Sequence, residues 1–357
     1  MPERGPGRKE GMEGAPARIS DPLAREPERR EEQSLRPSRM ADFVGQSAVK
    51  QNLLVFIRAA VERGEALDHV LLYGPPGLGK TTLAGILAYE LGVAFKATSA
   101  PVYQNAAELL GVLTHLEARQ VLFLDEVHRL GRVLEEHLYP AMEDFRCELV
   151  VDRGPNARHY TLQLPPFTLV GATTRAGMIS APLRNRFGVV ARLDFYAPED
   201  LLLILERTAR LLELEADADG LAEIARRSRG TPRIANRLLR RLRDFAQVEG
   251  DGRVSAQIAD FGLKRLGVDE AGLDEMDRRI LDTLIRHHGG GPVGAATLAL
   301  AVAEEPETLE DVYEPFLIQQ GFIRRTRRGR VAARRAYEHL GLDAPRDQPP
   351  ELFEDPA

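Results

Sequence analysis

The sequence predicts an α/β protein in which a parallel-sheet domain is followed by a small all-α domain and by a third unit of helices and one β-hairpin. Strand-like apolar runs alternate with helical stretches from Asp42 to about Phe195, and the strand signals then stop. The chain of 357 residues is also long enough for two or three domains.

Four apolar runs define the expected sheet. They are Val70–Tyr73, Ala94–Lys96, Val121–Leu124 and Phe167–Ala172. Their alternation with helices is typical of a parallel sheet that is covered on both faces. Because ligands of such sheets bind at the carboxyl ends of the strands, we expect a binding site at that edge.

A glycine-rich loop follows the first run and precedes a helical stretch. Its residues are Gly74-Pro75-Pro76-Gly77-Leu78-Gly79-Lys80-Thr81, which fit the phosphate-loop pattern G-x-x-x-x-G-K-[ST]. Glycines allow backbone N–H groups to wrap around a polyphosphate, and the start of a helix adds partial positive charge. A glycine turn before a helix is the alternative, but the pattern arises by chance in only about one chain of this length in a hundred. We therefore expect nucleotide binding, with Lys80 at the outer phosphates and the Thr81 hydroxyl on Mg²⁺.

Two adjacent acids, Asp125 and Glu126, end the run Val121–Leu124. We expect Asp125 to lie near Mg²⁺ and Glu126 to polarise a water for attack on the γ-phosphate. Helix capping is the alternative role for such a pair. His128 follows closely, and we interpret it as a structural residue because no other Cys or His stands at ligand spacing.

Hydroxyl and arginine side chains follow the fourth run. Thr174 lies in Thr173-Thr174-Arg175 and could orient the attacking water or sense the γ-phosphate, although a simple threonine-rich turn fits equally well. Arg184 and Arg186 lie on a short polar segment that we expect beyond the last strand of the sheet. Arginine can stabilise a transferring phosphoryl group, often from a neighbouring subunit, whereas an arginine pair is otherwise ordinary surface. Arg233 is a similar candidate from the helical domain.

Residues 148–164 predict a β-hairpin between the acid-ended strand and the threonine-ended strand. Such a hairpin can contact a partner or can pack on its own domain.

The second and third units are predicted from helical periodicity. Residues 201–249 indicate helices, one of which opens at Gly230-Thr231-Pro232-Arg233, with Thr231 as a possible cap and Pro232 in the first turn. Helices over 274–288, 295–303 and 307–320 precede an arginine-rich segment, 322–333, that Gly329 interrupts. Three helices and such a hairpin suggest a winged-helix domain. The arginines of the wing could neutralise DNA phosphates or form a solvated face; they are Arg324, Arg325, Arg327, Arg328 and Arg330.

Composition restricts the location and the partners. A formal net charge of -6 argues against a protein that coats nucleic acid generally. No apolar run approaches the roughly 18 residues of a membrane span, and no signal peptide is evident. A single cysteine, Cys147, fits a reducing compartment, so we expect a soluble cytoplasmic protein. Residues 1–34 have almost nothing to bury and are expected to be disordered.

These motifs together resemble those of the AAA+ ATPases and, among them, of the RuvB family of bacterial Holliday junction branch-migration motors. The likeness runs from about Leu35 to Leu340. The segments that carry it are Leu35-Arg36-Pro37, Phe43-Val44-Gly45-Gln46, GPPGLGKTT at 74–82, DEVHRL at 125–130, GATTRAG at 171–177, LRNRFG at 183–188, GTPRIANRLLRR at 230–241 and EDVYEPFLIQQGFI at 310–323.

The resemblance implies a large ATPase domain over 35–197, a helical lid over 198–268 and a winged-helix head over 269–343, between tails at 1–34 and 344–357. It also implies a homohexameric ring that hydrolyses ATP with Mg²⁺ and pulls duplex DNA through a four-way junction in recombination and repair. The implied partners are RuvA, bound through the 148–164 hairpin, and RuvC.

The resemblance further implies roles for individual residues. Arg186 would reach into the site of a neighbouring subunit, Thr174 and Arg233 would be the two nucleotide sensors, and Arg325 and Arg330 would contact DNA. The residues implied around ATP or ADP are Leu35, Arg36, Gly77, Gly79, Lys80, Thr81, Thr82, Glu143, Asp144, Phe145, Tyr196 and Arg233.

Three features depart from the family pattern. Pro306 stands where an additional DNA-contacting arginine is common, Phe145 stands where a tyrosine is common, and the tail before residue 34 is longer than the family needs. Two other functions stay open at this point: a loader or remodeller that acts on proteins, which would be expected to show an aromatic pore loop, and a winged-helix regulator whose ATPase domain only controls assembly.

Overall fold

The computed structural model describes residues 34–151 and 158–345. Most of the two predicted tails, and the tip of the predicted hairpin at residues 152–157, lie outside the described residues. The described chain forms a parallel-sheet domain, a helical lid and a winged-helix head, in the predicted order.

The strands of the sheet domain are β1 (Val70–Tyr73), β2 (Phe95–Ser99), β3 (Val121–Asp125), β4 (Arg146–Val151), β5 (Arg158–Gln163), β6 (Thr168–Thr173) and β7 (Val189–Arg192). Within the described residues, five of them form one sheet with the order β2-β3-β6-β1-β7 and all pairings parallel. A separate antiparallel hairpin, β4–β5, lies between β3 and β6 in the sequence.

The four predicted runs are confirmed as strands. The prediction that no further strand of the sheet follows β6 in the sequence is wrong, because β7 does. The middle strands β1, β3 and β6 are buried along almost their whole length, so their sequences are continuously apolar. In β7, by contrast, buried Val189 and Ala191 alternate with exposed Val190 and Arg192, as expected at the edge of a sheet. Arg186 therefore precedes this edge strand.

Helices cover the sheet; the longest, α1 (Ser47–Arg63), precedes β1, and the others follow strands. The central one begins at the phosphate loop and has buried side chains around most of its circumference. The helices are α1 (Ser47–Arg63), α2 (Lys80–Leu91), α3 (Ala106–Leu113), α4 (Arg132–Glu143) and α5 (Ala181–Arg184).

The lid packs on the sheet domain through a continuous apolar core that includes Leu72, Leu201 and Leu238. Its helices are α6 (Pro198–Leu211), α7 (Ala218–Arg227), α8 (Pro232–Glu249) and α9 (Ala256–Arg265). Pro232 starts α8 as predicted, but Thr231 does not cap it through its side chain. The Thr231 hydroxyl instead donates to the carbonyl oxygen of Arg229, 3.1 Å away.

The head has a core of its own and the predicted three-helix and wing arrangement. Two of its helical stretches contain a π-helical turn, which the sequence did not indicate. The elements are α10 (Glu275–Asp282) with the π turn Thr283–His287, α11 (Ala295–Val302), α12 (Pro306–Thr308) with the π turn Leu309–Tyr313, α13 (Glu314–Gln319), β8 (Ile323–Thr326), β9 (Gly329–Ala332) and α14 (Arg334–His339).

The wing is anchored by β9. This strand pairs with β8 on one side, and Arg330 bridges to Val293 on the other, so that β8 is the outer strand. At Gly329 the backbone φ is 137°, and a side chain there would collide with the backbone carbonyl of Val293.

None of the helices in residues 34–151 and 158–345 is long and apolar enough to cross a membrane.

Candidate nucleotide site

A cleft of about 380 Å³ lies at the carboxyl ends of β1, β3 and β6, beneath the lid. A concave site of this size at this edge of a parallel sheet is suited to a small polar ligand. Twelve of the sequence-predicted residues line it together: Leu35, Arg36, Gly77, Gly79, Lys80, Thr81, Thr82, Asp125, Glu126, Thr174, Tyr196 and Arg233.

The phosphate loop has a backbone that only glycine adopts easily. Gly74, Gly77 and Gly79 have φ values of 143°, 78° and 95°. At Gly77 an added Cβ would lie 2.7 Å from the side chain of Thr231 in the lid. The glycines therefore permit both the turn and the close approach of the lid to it.

Lys80 lies at the first position of α2, and its ammonium group points back into the loop. Its Nζ donates to the carbonyl oxygens of Gly74 and Pro75, each at 2.8 Å. Burial lowers the pKa of Lys80 to about 8, against the opposing attraction of Asp125. The cleft thus holds a desolvated cation whose charge titrates close to neutral pH.

Asp125 and Glu126 lie side by side at the end of β3. The backbone N–H of Glu126 donates to Asp125 Oδ1 at 2.9 Å, and burial raises the pKa of the Asp125 carboxyl. Glu126 has a left-handed backbone with φ of 51°, and its carboxylate pairs with Arg129 at 3.1 Å. Backbone strain of this kind in a non-glycine residue is typical of functional sites, because it aims one side chain.

Thr174 follows β6 and faces the same cleft. Its hydroxyl donates to Asp311 Oδ2 of the head at 3.2 Å. The neighbouring Thr173 hydroxyl is 2.9 Å from Nδ1 of His128, which supports the interpretation of His128 as a structural residue. Burial lowers the pKa of this histidine, so the neutral ring is favoured.

Tyr196 closes the side of the cleft where the lid begins. Its hydroxyl donates to the carbonyl oxygen of Leu78 at 3.3 Å, and burial raises its pKa. Arg207 of α6 donates to the carbonyl oxygen of Leu35 at 2.6 Å and so ties the first described segment of the chain to the lid.

Among the described residues, no cysteine or histidine side chain lines this cleft. In the part of the chain that the structure describes, no group of three or more His, Cys, Asp or Glu side chains could hold a metal ion by itself. Thr81 and Asp125 nevertheless bring a hydroxyl and a carboxylate into one cleft. Such a sparse oxygen set fits Mg²⁺, which usually keeps several waters and binds through one or two protein ligands and phosphates.

Four of the predicted nucleotide residues lie away from this cleft. Arg186 pairs with Glu143 at 3.1 Å, and its guanidinium stacks 4.2 Å above the Tyr139 ring. Arg186 lies three residues before Val189, which aligns with Val70 at the start of β1, whereas the phosphate loop follows the other end of β1. The two sites are therefore separated by at least a strand length of about 10–13 Å.

Glu143, Asp144 and Phe145 share this amino-terminal edge of the sheet. The Phe145 ring lies 6.0 Å from that of Phe167, which immediately precedes β6, and 6.4 Å from that of His69, which immediately precedes β1. These three residues therefore lie away from the cleft of their own chain, and their place around a nucleotide stays a prediction. They and Arg186 form one surface on the opposite edge of the sheet from the cleft.

The two arginines predicted to contact DNA differ in their surroundings. Arg325 on β8 is 63% exposed, whereas the side chain of Arg330 on β9 is only 7% exposed. Arg330 donates to Glu314 at 3.0 Å and to Glu310 at 2.6 Å. The Arg330 guanidinium is thus held by two carboxylates of the head, and its contact with DNA stays a prediction.

Several lining residues were not predicted as site residues, and they come from both the sheet domain and the lid. Phe43 packs against the phosphate loop, with its ring 3.3 Å from the position that a Cβ on Gly79 would take. Thr208 donates to Asn236 at 2.8 Å across two lid helices. Asn236 lies three residues after Arg233 on α8, and this helical spacing was the only local signal that could have identified it.

Comparisons with known proteins agree with this architecture along the chain. Three family models match: the P-loop domain of the Holliday junction DNA helicase RuvB over residues 35–193, the RuvB AAA lid domain over 196–269, and the RuvB C-terminal winged-helix domain over 270–341.

Solved structures of Thermotoga maritima RuvB are similar over almost their entire length. One, described as the Holliday junction branch migration motor, is 47% identical with a TM-score of 0.80, and the match covers 87% of this chain and 99% of that one. A lysine-to-arginine mutant of the same protein is 47% identical with a TM-score of 0.82, and the match covers 88% of this chain and 100% of that one. The chain therefore belongs to the RuvB family.

Proposed function

We propose that this chain is an ATP-driven DNA motor that moves Holliday junction branches as a ring of identical subunits. The observation that carries the proposal is the division of one hydrolytic site between two edges of the sheet. Lys80, Asp125 and Glu126 share the cleft, whereas Arg186 lies at the opposite edge. Membership of the RuvB family supports the same activity.

In the proposed hydrolysis each cleft residue has one task. Lys80 and the loop N–H groups hold the phosphates, Thr81 and Asp125 hold Mg²⁺, and Glu126 accepts the proton of the attacking water. Thr174 orients that water or the terminal phosphate. Hydrolysis of the terminal anhydride bond of ATP would supply the free energy, and the lid above the cleft would shield the reaction from bulk water.

Arg186 serves the neighbouring subunit in this proposal. Its own cleft is beyond its reach, but a ring places the amino-terminal edge of one sheet against the cleft of the next. Glu143, which pairs with Arg186, would then meet the same neighbour. An arginine supplied from another subunit stabilises the charge of phosphoryl transfer and makes hydrolysis depend on assembly. The number of subunits, six, rests on the family resemblance.

The remaining parts of the proposal concern partners and boundaries. The exposed apolar side chains Tyr160 and Leu162 on β5 suit the RuvA contact expected of the 148–164 hairpin. Duplex DNA would contact the exposed arginines of the wing. RuvC would bind to the same junction complex. The protein would act in the cytoplasm. We retain the domain limits 35–197, 198–268 and 269–343.

Branch migration tests the proposal directly. With a synthetic four-way junction, RuvA and ATP, the native chain is expected to convert the junction into duplex products. Glu126→Gln is expected to bind nucleotide but to lose about 100-fold or more of both hydrolysis and branch migration, because the water loses its base. Glu117→Gln, a change of an exposed glutamate in the loop before β3, is the matched control and should behave as the native chain. Normal ATP hydrolysis without branch migration would favour a regulator, whose head binds DNA without moving it.

Subunit mixing tests the role of Arg186. Neither Arg186→Ala nor Lys80→Ala is expected to hydrolyse ATP alone. Mixed rings should recover part of the activity, since a Lys80→Ala subunit can offer its Arg186 to the intact cleft of an Arg186→Ala neighbour. Arg184→Ala, at the end of α5 and two residues before Arg186, serves as the control and should need no complementation. Absence of any recovery in mixed rings would contradict an action between subunits.

Replacement of the wing arginines should separate DNA contact from head stability. Arg325→Ala is expected to weaken duplex binding and to reduce the slope of log affinity against log salt by about 1, with basal ATPase unchanged. Arg330→Ala should instead destabilise the head by about 3–5 kcal/mol, because Glu314 is left buried without its partner. Arg334→Ala, 79% exposed on α14, is the control for general loss of charge. Binding isotherms at several salt concentrations and calorimetric unfolding measure the two effects.

The pH dependence of nucleotide affinity tests the role of the Lys80 ammonium. Because the pKa of Lys80 is lowered to about 8, the phosphate-binding charge is present below pH 8 and is lost above it. ADP affinity is therefore expected to fall about tenfold between pH 7 and pH 9, which a titrating group near pH 8 requires. Lys80→Arg stays protonated throughout and should show a much flatter profile. Equal slopes for the two proteins, by calorimetric titration, would exclude Lys80 as the titrating group.

A further inference from the structure

One carboxylate of the head, that of Asp311, contacts a residue that lines the nucleotide cleft. Arg175 Nε donates to Asp311 Oδ1 at 2.7 Å, and the Thr174 hydroxyl donates to Asp311 Oδ2 at 3.2 Å. The bond from Thr174 matters most, because this hydroxyl also lines the cleft. A residue of the winged helix thus occupies the hydroxyl that is expected to sense the terminal phosphate.

Asp311 lies in a π-helical turn, Leu309–Tyr313, between two short α-helical pieces. Such turns occur frequently at functional sites, where an extra residue re-aims the side chains. The same turn also reaches the lid: Arg229, which is buried, stacks 5.8 Å from the Tyr313 ring and donates to the Val312 carbonyl at 3.4 Å. Arg229 lies four residues before Arg233 of the cleft. One turn of the head therefore contacts the segments that carry both predicted sensors.

The same part of the head also holds the wing. Glu310 and Glu314 accept the hydrogen bonds of Arg330 on β9, and these two acids flank Asp311 in sequence. Any displacement of Asp311 from the cleft is thereby transmitted to the strand that anchors the DNA-facing wing.

A terminal phosphate and the Asp311 carboxylate cannot both accept a hydrogen bond from the Thr174 hydroxyl. A threonine hydroxyl has a single proton, so it can donate to only one acceptor at a time. Both candidate acceptors are anionic, and Asp311 is close enough to Lys80 to raise the pKa of this lysine. A second anion in the same place repels the first, and the low polarity of a buried cleft strengthens the repulsion.

We propose that Asp311 is the positioning residue of a latch that docks the head on the cleft, and that it competes with the terminal phosphate of a nucleoside triphosphate for Thr174. The latch rests on the proposed nucleotide role of the cleft. A triphosphate then disfavours the docked head, whereas a diphosphate, which lacks that phosphate, leaves it docked. Because coupling between two sites is reciprocal, undocking must also strengthen triphosphate binding.

The first measurement compares two affinities in the full-length chain. ADP and a non-hydrolysable ATP analogue are titrated into the native chain, Asp311→Ala and, as a matched control, Asp282→Ala. Asp282 forms an exposed pair with Arg286 within the head, so its loss leaves the cleft untouched. Asp311→Ala is expected to bind the ATP analogue about fivefold more tightly or better, relative to ADP, with no such change in the control.

The second measurement follows the head itself by amide hydrogen exchange of peptides from residues 305–319. The ATP analogue should accelerate exchange there in the native chain, ADP should not, and Asp311→Ala should exchange fast without nucleotide. Peptides of α10 and α11 must keep their protection, which shows that the variant head is folded; Asp311→Asn, a change of nearly equal shape, replaces the alanine variant if they do not.

The outcomes separate the latch from the activity on which it rests. An unchanged ratio of the two affinities in Asp311→Ala, or exchange in the native chain that the ATP analogue slows or leaves alone, would overturn the latch while the nucleotide cleft stands. Failure of the native chain to bind either nucleotide would overturn the cleft assignment and the latch with it.

Discussion

The parallel register of the central sheet is the constraint on which the site depends. Since β1, β3 and β6 run in the same direction, the segments that follow them meet at one edge although they are distant in sequence. The phosphate loop, Asp125 and Thr174 are gathered in this way. The same rule places the segment before β7, with Arg186, at the other edge. A parallel sheet cannot bring both ends of its strands to one ligand, so the proposed role of Arg186 in hydrolysis requires a second copy of the chain.

Buried charges fix how the head sits on the rest of the molecule. The Arg229 guanidinium is 4% exposed and pairs with Asp277, which is 0% exposed, across the boundary between lid and head. Burial is the main influence on the Asp277 carboxyl and raises its pKa, which reflects the cost of removing this acid from water. Such pairs add little stability compared with apolar packing. We interpret this pair as one that specifies the orientation of the head on the lid, because separating the two side chains would leave a buried charge without its partner.

The sequence predicted those parts of the protein that depend on local pattern. Fully buried strands are recognisable as apolar runs, and a phosphate loop needs glycines at fixed positions, so the sheet centre and Lys80 were found. Edge strand β7 was missed because half of it faces water. The family resemblance assigned Arg330 to DNA together with Arg325. The sequence could not show that the bridge to Val293 makes β9 the inner strand, where Arg330 pairs with Glu314. Asp311 was not predicted, since its partner Thr174 is 137 positions away.

The contacts of the head also differ in how easily they can break. Arg330 and Glu314 are 7% and 2% exposed, so their separation would leave an unpaired charge buried inside the head. The wing must therefore move together with the π turn. Arg175 and Asp311 are 18% and 27% exposed, and water can reach both as they part. A partly exposed pair costs far less to open than a buried one. Because the pair of Arg229 and Asp277 is as buried as that of Arg330, the head should leave the sheet domain at Asp311 while it stays attached to the lid. Among these three pairs, the one next to the nucleotide cleft, Arg175 with Asp311, is therefore the easiest to open, and hydrolysis could act on it there.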